Sequence, residues 1–234
     1  MATDLAAIWN YELRREAQSI LDYMYIGPTS IVRDHAYLRD KGITLVVIVR
    51  DARMGSMSLL SVEKACAACN MESYYINVEN LYHLIHNLPE MIYNLNAHMI
   101  KVHNQSQAAT GAPRLGKILM TCDTGNDRSA AIAAAYIMAV YGASMHKTVQ
   151  FVSIQRFCCT FDEDIKRILQ TWEDLLKAKA DVYASHTTAL NTAPQPKSKR
   201  GVEDMDMEEG GVRLDGDSER FVGREAFAPF IDTN

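Results

Sequence analysis

The sequence predicts an α/β domain with a mostly parallel sheet, and three observations carry that prediction. Short β-branched apolar runs alternate with longer stretches whose apolar residues recur every three to four positions. One run, Ile43 to Val49 (I-T-L-V-V-I-V), is almost wholly apolar, which suits a central strand buried on both faces. Another, Ile118-Leu119-Met120, ends at Cys122 and passes through a Gly125-containing loop into the Ala-rich stretch from Ser129 to Met138. Strand, tight loop and helix start, in that order, place a ligand crevice at the carboxyl end of the strand.

The elements follow in order. Tyr23 to Pro28 reads as a short strand and turn. Ser30 then caps a helix running to about Lys41 and stopped by Gly42. The Ile43–Val49 strand follows, then a further strand at Tyr74–Val78. Leu81 to Val102 is a long helix with Leu81, Leu84, Leu88, Met91, Ile92, Leu95 and Met99 at three-to-four spacing. The strand Lys117–Cys122 and its helix come next. Thr160 with Glu163 forms a capping-box signature ahead of Ile165, Ile168, Leu169 and Trp172, a last amphipathic helix ending near Ala180. The domain is expected over residues 8–181.

The composition changes from about Ala184. A Thr/Ala/Pro/Asn-rich stretch leads to the basic cluster Lys197-Ser198-Lys199-Arg200 and then to Glu203, Asp204, Asp206, Glu208 and Glu209. Such a segment buries too little apolar surface to order itself, so residues 182–234 are expected to be a disordered tail. The basic cluster reads as a nuclear import signal or a solvated linker. The closing apolar groups, Phe221, Phe227, Phe230 and Ile231, read as a docking peptide or as residues that pack on the domain.

Bulk numbers exclude several classes. A chain of 234 residues allows one globular domain of roughly 150–200 residues plus a tail. The net charge of −5 argues against nucleic-acid binding, and no long apolar run or basic-then-apolar leader suggests a membrane or a secreted protein. Five cysteines, with Cys158 and Cys159 adjacent, fit a reducing compartment, so cytoplasm or nucleus is expected. No cofactor or metal is expected. Cys66 and Cys69 have ligand-like spacing but no second pair, and read as core; His83, His86, His98 and His103 read as surface or groove residues.

The chemistry concentrates between Cys122 and Ser129 (C-D-T-G-N-D-R-S). Backbone N–H groups at a helix N-terminus favour an anion in the preceding loop. Arg128, five residues past Cys122, adds a planar two-pronged partner for phosphate oxygens. The same field favours a thiolate at Cys122. Nucleophile, cradle (Asp123, Thr124, Gly125, Asn126, Asp127) and clamp fit phosphoryl transfer through a cysteine.

This spacing of Cys122, Gly125, Arg128 and Ser129 resembles the phosphate loop of the cysteine-dependent protein phosphatases, in particular the compact dual-specificity class. Other stretches resemble the serine/threonine/tyrosine-interacting pseudophosphatases of that class. They are Trp9, Tyr11, Arg14-Arg15-Glu16, Gln18, Ile20-Leu21, Gly27-Pro28, Gly42-Ile43-Thr44, Ala135 to Met138 and Gln155 to Cys158, with the basic-then-acidic tail. The resemblance implies a five-stranded sheet wrapped by helices and a phosphoprotein ligand. In active members the Cys attacks phosphorus, the loop amides and Arg hold the oxygens, a separate Asp protonates the leaving group, and the hydroxyl matching Ser129 assists thiolate departure. The pseudophosphatases carry Gly at the Cys position; this chain keeps Cys122.

Three departures weaken the implied turnover. Thr121 stands where active members commonly have His. Asp123 and Asp127 put two carboxylates in a loop that should attract a phosphomonoester, and each one that faces inward repels it. The general acid is expected after the Tyr74–Val78 strand, where the chain reads Glu79-Asn80. Asn80 is not a useful acid, and Glu79 is the only substitute nearby; general-acid help is worth roughly 10²–10⁴-fold. Asp127 can also serve as the anion that compensates Arg128 at a helix start, leaving the empty loop stable. Two readings follow: a binding protein for phosphorylated or signalling proteins with little or no turnover, or a slow dual-specificity phosphatase using Cys122, Arg128 and Ser129.

Overall fold

A computed structural model describes residues 9–54 and 58–191. The tail readings from Lys197 onward, and the sequence start, lie outside the described residues. Five strands form one sheet: β1 (Gln18–Leu21), β2 (Met24–Pro28), β3 (Leu45–Asp51), β4 (Glu72–Val78) and β5 (Ile118–Cys122), in the order β1-β2-β5-β3-β4. The β1–β2 pair is antiparallel and the rest are parallel. The helices are α1 (His35–Lys41), α2 (Leu60–Cys69), α3 (Leu81–Thr110), α4 (Arg128–Tyr141), α5 (Met145–Gln155) and α6 (Glu163–Asn191). The expected α/β architecture with a mostly parallel five-stranded sheet is the one observed.

Side-chain alternation explains the layering. Leu45, Val47 and Val49 of β3 join a core with α3, α4 and α6, while Val46 and Ile48 join a second core with α1 and α2. In β5, Ile118, Met120 and Cys122 face the first core and Leu119 the second. A strand covered on both faces has to be apolar at consecutive positions, which is the pattern read from Ile43 to Val49. From Ser129 to Met138, α4 is buried at every residue. Its alanines let it lie close under the sheet, and Trp172 Nε1 donates to the Ala135 carbonyl at 3.0 Å.

Several boundaries differ from the sequence expectation, each for a local reason. Ser30 starts no α-helix: residues Thr29–Arg33 form a 3₁₀ turn, and Asp34 caps α1 by accepting from Tyr37 N at 2.9 Å. Gly42 ends α1 in the left-handed region (φ 67°), as expected. α3 continues past Val102 to Thr110, where Gly111 (φ 70°) stops it. α6 is capped by Asp162, which accepts from Ile165 N at 2.8 Å, while Thr160 N is drawn to the Asn126 carbonyl. α6 runs to Asn191, beyond the Ala180 expected from the apolar spacing. Among the described residues no helix is long and apolar enough to cross a membrane.

Candidate phosphate-binding site

Cys122 ends β5, the middle strand, level with Pro28 at the end of β2. Thr29 Oγ1 donates to the Cys122 carbonyl at 3.0 Å, fixing the strand exit. The loop then turns back on β2 because Gly125 is left-handed (φ 72°); a Cβ there would lie 2.3 Å from Gly27 C. Only glycine allows both that dihedral and that approach.

The outside of the loop is held by Arg156, which is wholly buried at the end of α5. Its Nε donates to Gly125 O at 2.9 Å, Nη1 to Glu16 O at 2.8 Å and to Gln18 Oε1, and Nη2 to Arg14 O at 3.0 Å and Asn126 Oδ1 at 3.1 Å. Thr160 N adds a bond to Asn126 O at 2.8 Å. One guanidinium thus joins the loop to the segment that enters β1. Sequence reading had this arginine only as part of a resemblance; no spacing rule links it to partners 138 positions away.

Inside the loop the predicted residues come together. Cys122 is 1% exposed; its Sγ–H donates to Asp127 Oδ1 at 3.1 Å and lies 3.2 Å from Ser129 Oγ. Asp127 precedes α4 without capping it through its side chain. Its carboxylate therefore turns inward. A thiol can share that position as a donor, whereas a thiolate would meet a like charge. Asp123 and Thr124 are exposed, and Asn126 N is bonded to Thr124 Oγ1 at 3.3 Å. The two loop carboxylates thus differ: Asp127 faces the sulfur, and Asp123 faces outward at the rim.

Arg128 does not point to an empty centre. Its Nη2 lies 3.8 Å from Asp51 Oδ2, at the end of β3. Asp51 also takes Arg53 N and Nε at 2.9 Å each and Arg53 Nη2 at 2.7 Å. Those bonds from Arg53, more than the nearby Arg128 charge, hold its carboxyl well below the usual carboxylate range. Asp51 was missed by sequence reading, which looked for an acid only after β4. Thr29, Asp51, Met54, Leu59, Asp123 and Arg128 line a cleft of about 210 Å³ beside the loop.

Thr121, in the place of the expected His, is wholly buried and donates to Val47 O at 3.0 Å, so it satisfies itself within the sheet. Asn80 caps α3, its Oδ1 accepting from His83 N at 2.8 Å. Glu79 Oε2 sits 3.1 Å from His83 Nδ1, and neither Asn80 nor Glu79 lines the cleft. Cys66 and Cys69 pack against the second core. Of the surface-or-groove reading, His98 takes the groove half: it lines a groove with Thr44 and Glu72 and is 6% exposed, with Nε2 2.9 Å from Thr44 Oγ1 and Nδ1 3.4 Å from Glu72 Oε2. The inward stripe of α3 is broad enough to include it. Near the loop, burial pushes the Cys159 thiol up to about 12.

The family described as the Rit1 DUSP-like domain matches residues 79–180, less than half of the chain. The Serine/threonine/tyrosine-interacting protein B of Xenopus laevis is 26% identical over 176 residues, covering 74% of this chain and 72% of the frog protein. Among solved structures, the human tyrosine phosphatase-like serine/threonine/tyrosine-interacting protein superposes with a TM-score of 0.53 at 23% identity, over 69% of this chain and 97% of that one. A mouse putative dual specificity phosphatase superposes with the same score at 21% identity, over 71% and 91%. The chain has the dual-specificity phosphatase fold, and the resemblance to the serine/threonine/tyrosine-interacting proteins read from its sequence holds.

Proposed function

We propose that this chain binds phosphorylated segments of signalling proteins, in the cytoplasm or nucleus, and releases little or no phosphate from them. The Cys122 Sγ to Asp127 Oδ1 contact at 3.1 Å carries this reading. It occupies the nucleophile with an internal carboxylate and places a negative charge where an incoming phosphate would put its own. Asn80 adds a second loss, because its side chain is an amide spent on capping α3 and no proton donor lines the cleft at that position. Recognition can survive these losses, since Arg128 and the loop amides contribute to binding without a proton transfer.

The test pairs binding with chemistry. A phosphotyrosine peptide should bind the full chain and lose affinity on Arg128→Met, with no phosphate released. Asn80→Asp combined with Asp127→Gly should then release phosphate from an aryl phosphate, whose good leaving group makes it the most permissive substrate. A peptide whose binding ignores Arg128→Met contradicts the reading.

A slow phosphatase is the second reading, favoured by Ser129 Oγ at 3.2 Å from Sγ. In that case the Cys122 thiolate attacks phosphorus, the bond from phosphorus to the substrate oxygen breaks, and that oxygen takes its proton from water. Water then cleaves the phosphocysteine, and Ser129 donates a hydrogen bond to the leaving sulfur.

A further inference from the structure

The cleft beside the phosphate loop does not end at Leu59. On the far side of that residue lies a wider groove of about 550 Å³, lined by Arg33, His35, Leu59, Leu60, Ser61 and Lys64. The two depressions share Leu59. They also share a wall: the 3₁₀ turn Thr29–Arg33 presents Thr29 to one and Arg33 to the other.

Its chemistry differs from that of the phosphate cleft. The first cleft carries Asp51 and Asp123 against Arg50 and Arg128, so its charge is balanced from within. The second carries Arg33, Lys64 and His35 and no acid. Among the described residues none of these three is in an ion pair. The two acids adjacent in sequence are occupied elsewhere: Asp34 caps α1, and Glu63 is bonded to Ser58. Leu60 is 64% exposed and supplies an apolar wall. In a chain of net charge −5, unpaired cations converging on an apolar-walled groove mark a place for an anionic partner.

We propose that this groove recognises an acidic stretch with an apolar anchor residue on the same protein that presents its phosphoresidue to the neighbouring cleft. The anchor packs on Leu59 and Leu60 while carboxylates meet Arg33 and Lys64. The proposal rests on the phosphoprotein reading only in that one partner spans both depressions; the groove's own chemistry is independent of Cys122.

Fluorescence anisotropy with the full chain tests it. One labelled peptide carries Glu and Asp around a central Leu and no phosphate; a second has Lys in place of each acid; a third carries phosphotyrosine and no acid. The acidic peptide should bind wild type, weaken with added salt, and lose about tenfold in affinity on Arg33→Glu with Lys64→Glu, the size expected for two reversed rim charges. Arg128→Met should leave that affinity unchanged. Arg33→Gln with Lys64→Gln, with an unchanged melting curve, should give a smaller loss and guards against misfolding. Equal binding of the Lys peptide overturns the proposal, as does indifference to the double reversal. Preferential binding of phosphatidylserine vesicles over the acidic peptide overturns it too. The phosphotyrosine peptide reports on the other cleft, so binding of the acidic peptide alone sinks only the phosphoprotein reading. Binding of the phosphotyrosine peptide alone sinks only this one.

Discussion

At the two ends of the parallel strands the chain solves the same problem in opposite ways. Both ends leave polar groups at strand termini. At the amino ends, Thr44 Oγ1 bonds Lys117 N at 2.9 Å and Lys117 O at 3.1 Å, His98 packs against Thr44, and Glu72 pairs with Lys101 and His98. Donors meet acceptors and cations meet an anion, so Thr44, Glu72 and His98 are already paired where they line a groove of about 900 Å³. At the carboxyl ends the loop offers amides and Arg128, which call for an anion, and the anions supplied are Asp127 and Asp51. Neither is tightly fixed to the loop: Asp127 meets a thiol, a weak donor, and Asp51 stands 3.8 Å from Arg128. At the first end these groups satisfy one another. At the second, Asp127 and Asp51 stand where an incoming anion would place its own charge.

The comparison breaks most visibly at Arg156. Arg156→Met removes the donors to Gly125, Glu16, Gln18 and Arg14 and leaves buried carbonyls unpaired. The cost should be about 3–4 kcal/mol, read as a large drop in melting temperature together with lost oxyanion binding. Arg156→Lys should recover only part of it, because an ammonium cannot reproduce the planar fork. Next in size, Asp127→Asn removes the internal anion while keeping an acceptor for Cys122. Vanadate affinity should rise about tenfold, with little change in melting temperature, when titrated at equilibrium. A fall in affinity would mean that Asp127 positions the loop instead of competing with the ligand.

The smallest effect lies at the amino ends of the strands. Burial lowers His98 from its ordinary 6.5, against the pull of Glu72. The unfolded chain therefore takes up this proton more readily than the folded one. The share of stability that comes from keeping the ring neutral is complete above about pH 6.5 and is lost as pH falls toward the lowered value. Glu72, lowered chiefly by Lys101 from its ordinary 4.5, enters only at more acid pH. Melting curves between about pH 7.5 and pH 5.5, roughly one unit either side of the His reference value, should show a decline that His98→Gln reduces. Vanadate affinity should not follow it.

Much of this was legible in the sequence, and the rest was hidden for identifiable reasons. Periodicity and β-branching placed β3 and β5, because a strand buried on both faces must be apolar throughout. The spacing from Cys122 to Ser129 placed the loop, because a strand end, a left-handed glycine and a helix start leave few alternatives. The direction of Asp127 was not readable, since it depends on the backbone at one loop residue (φ −114°, ψ −82°). The Asp51 to Arg128 pair and the Arg156 bonds join elements distant in the chain, and no local pattern announces them. The burial of His98 was not readable because the turn-by-turn apolar spacing of α3 does not mark a polar residue satisfied by Thr44 and Glu72.

The central claim is that this loop holds phosphate without releasing it. The most direct measurement is phosphate release from an aryl phosphate by the wild-type chain beside Cys122→Ser. The account predicts no release above background from either protein, with vanadate bound by both. Release by wild type that Cys122→Ser abolishes would contradict it and establish a working phosphatase.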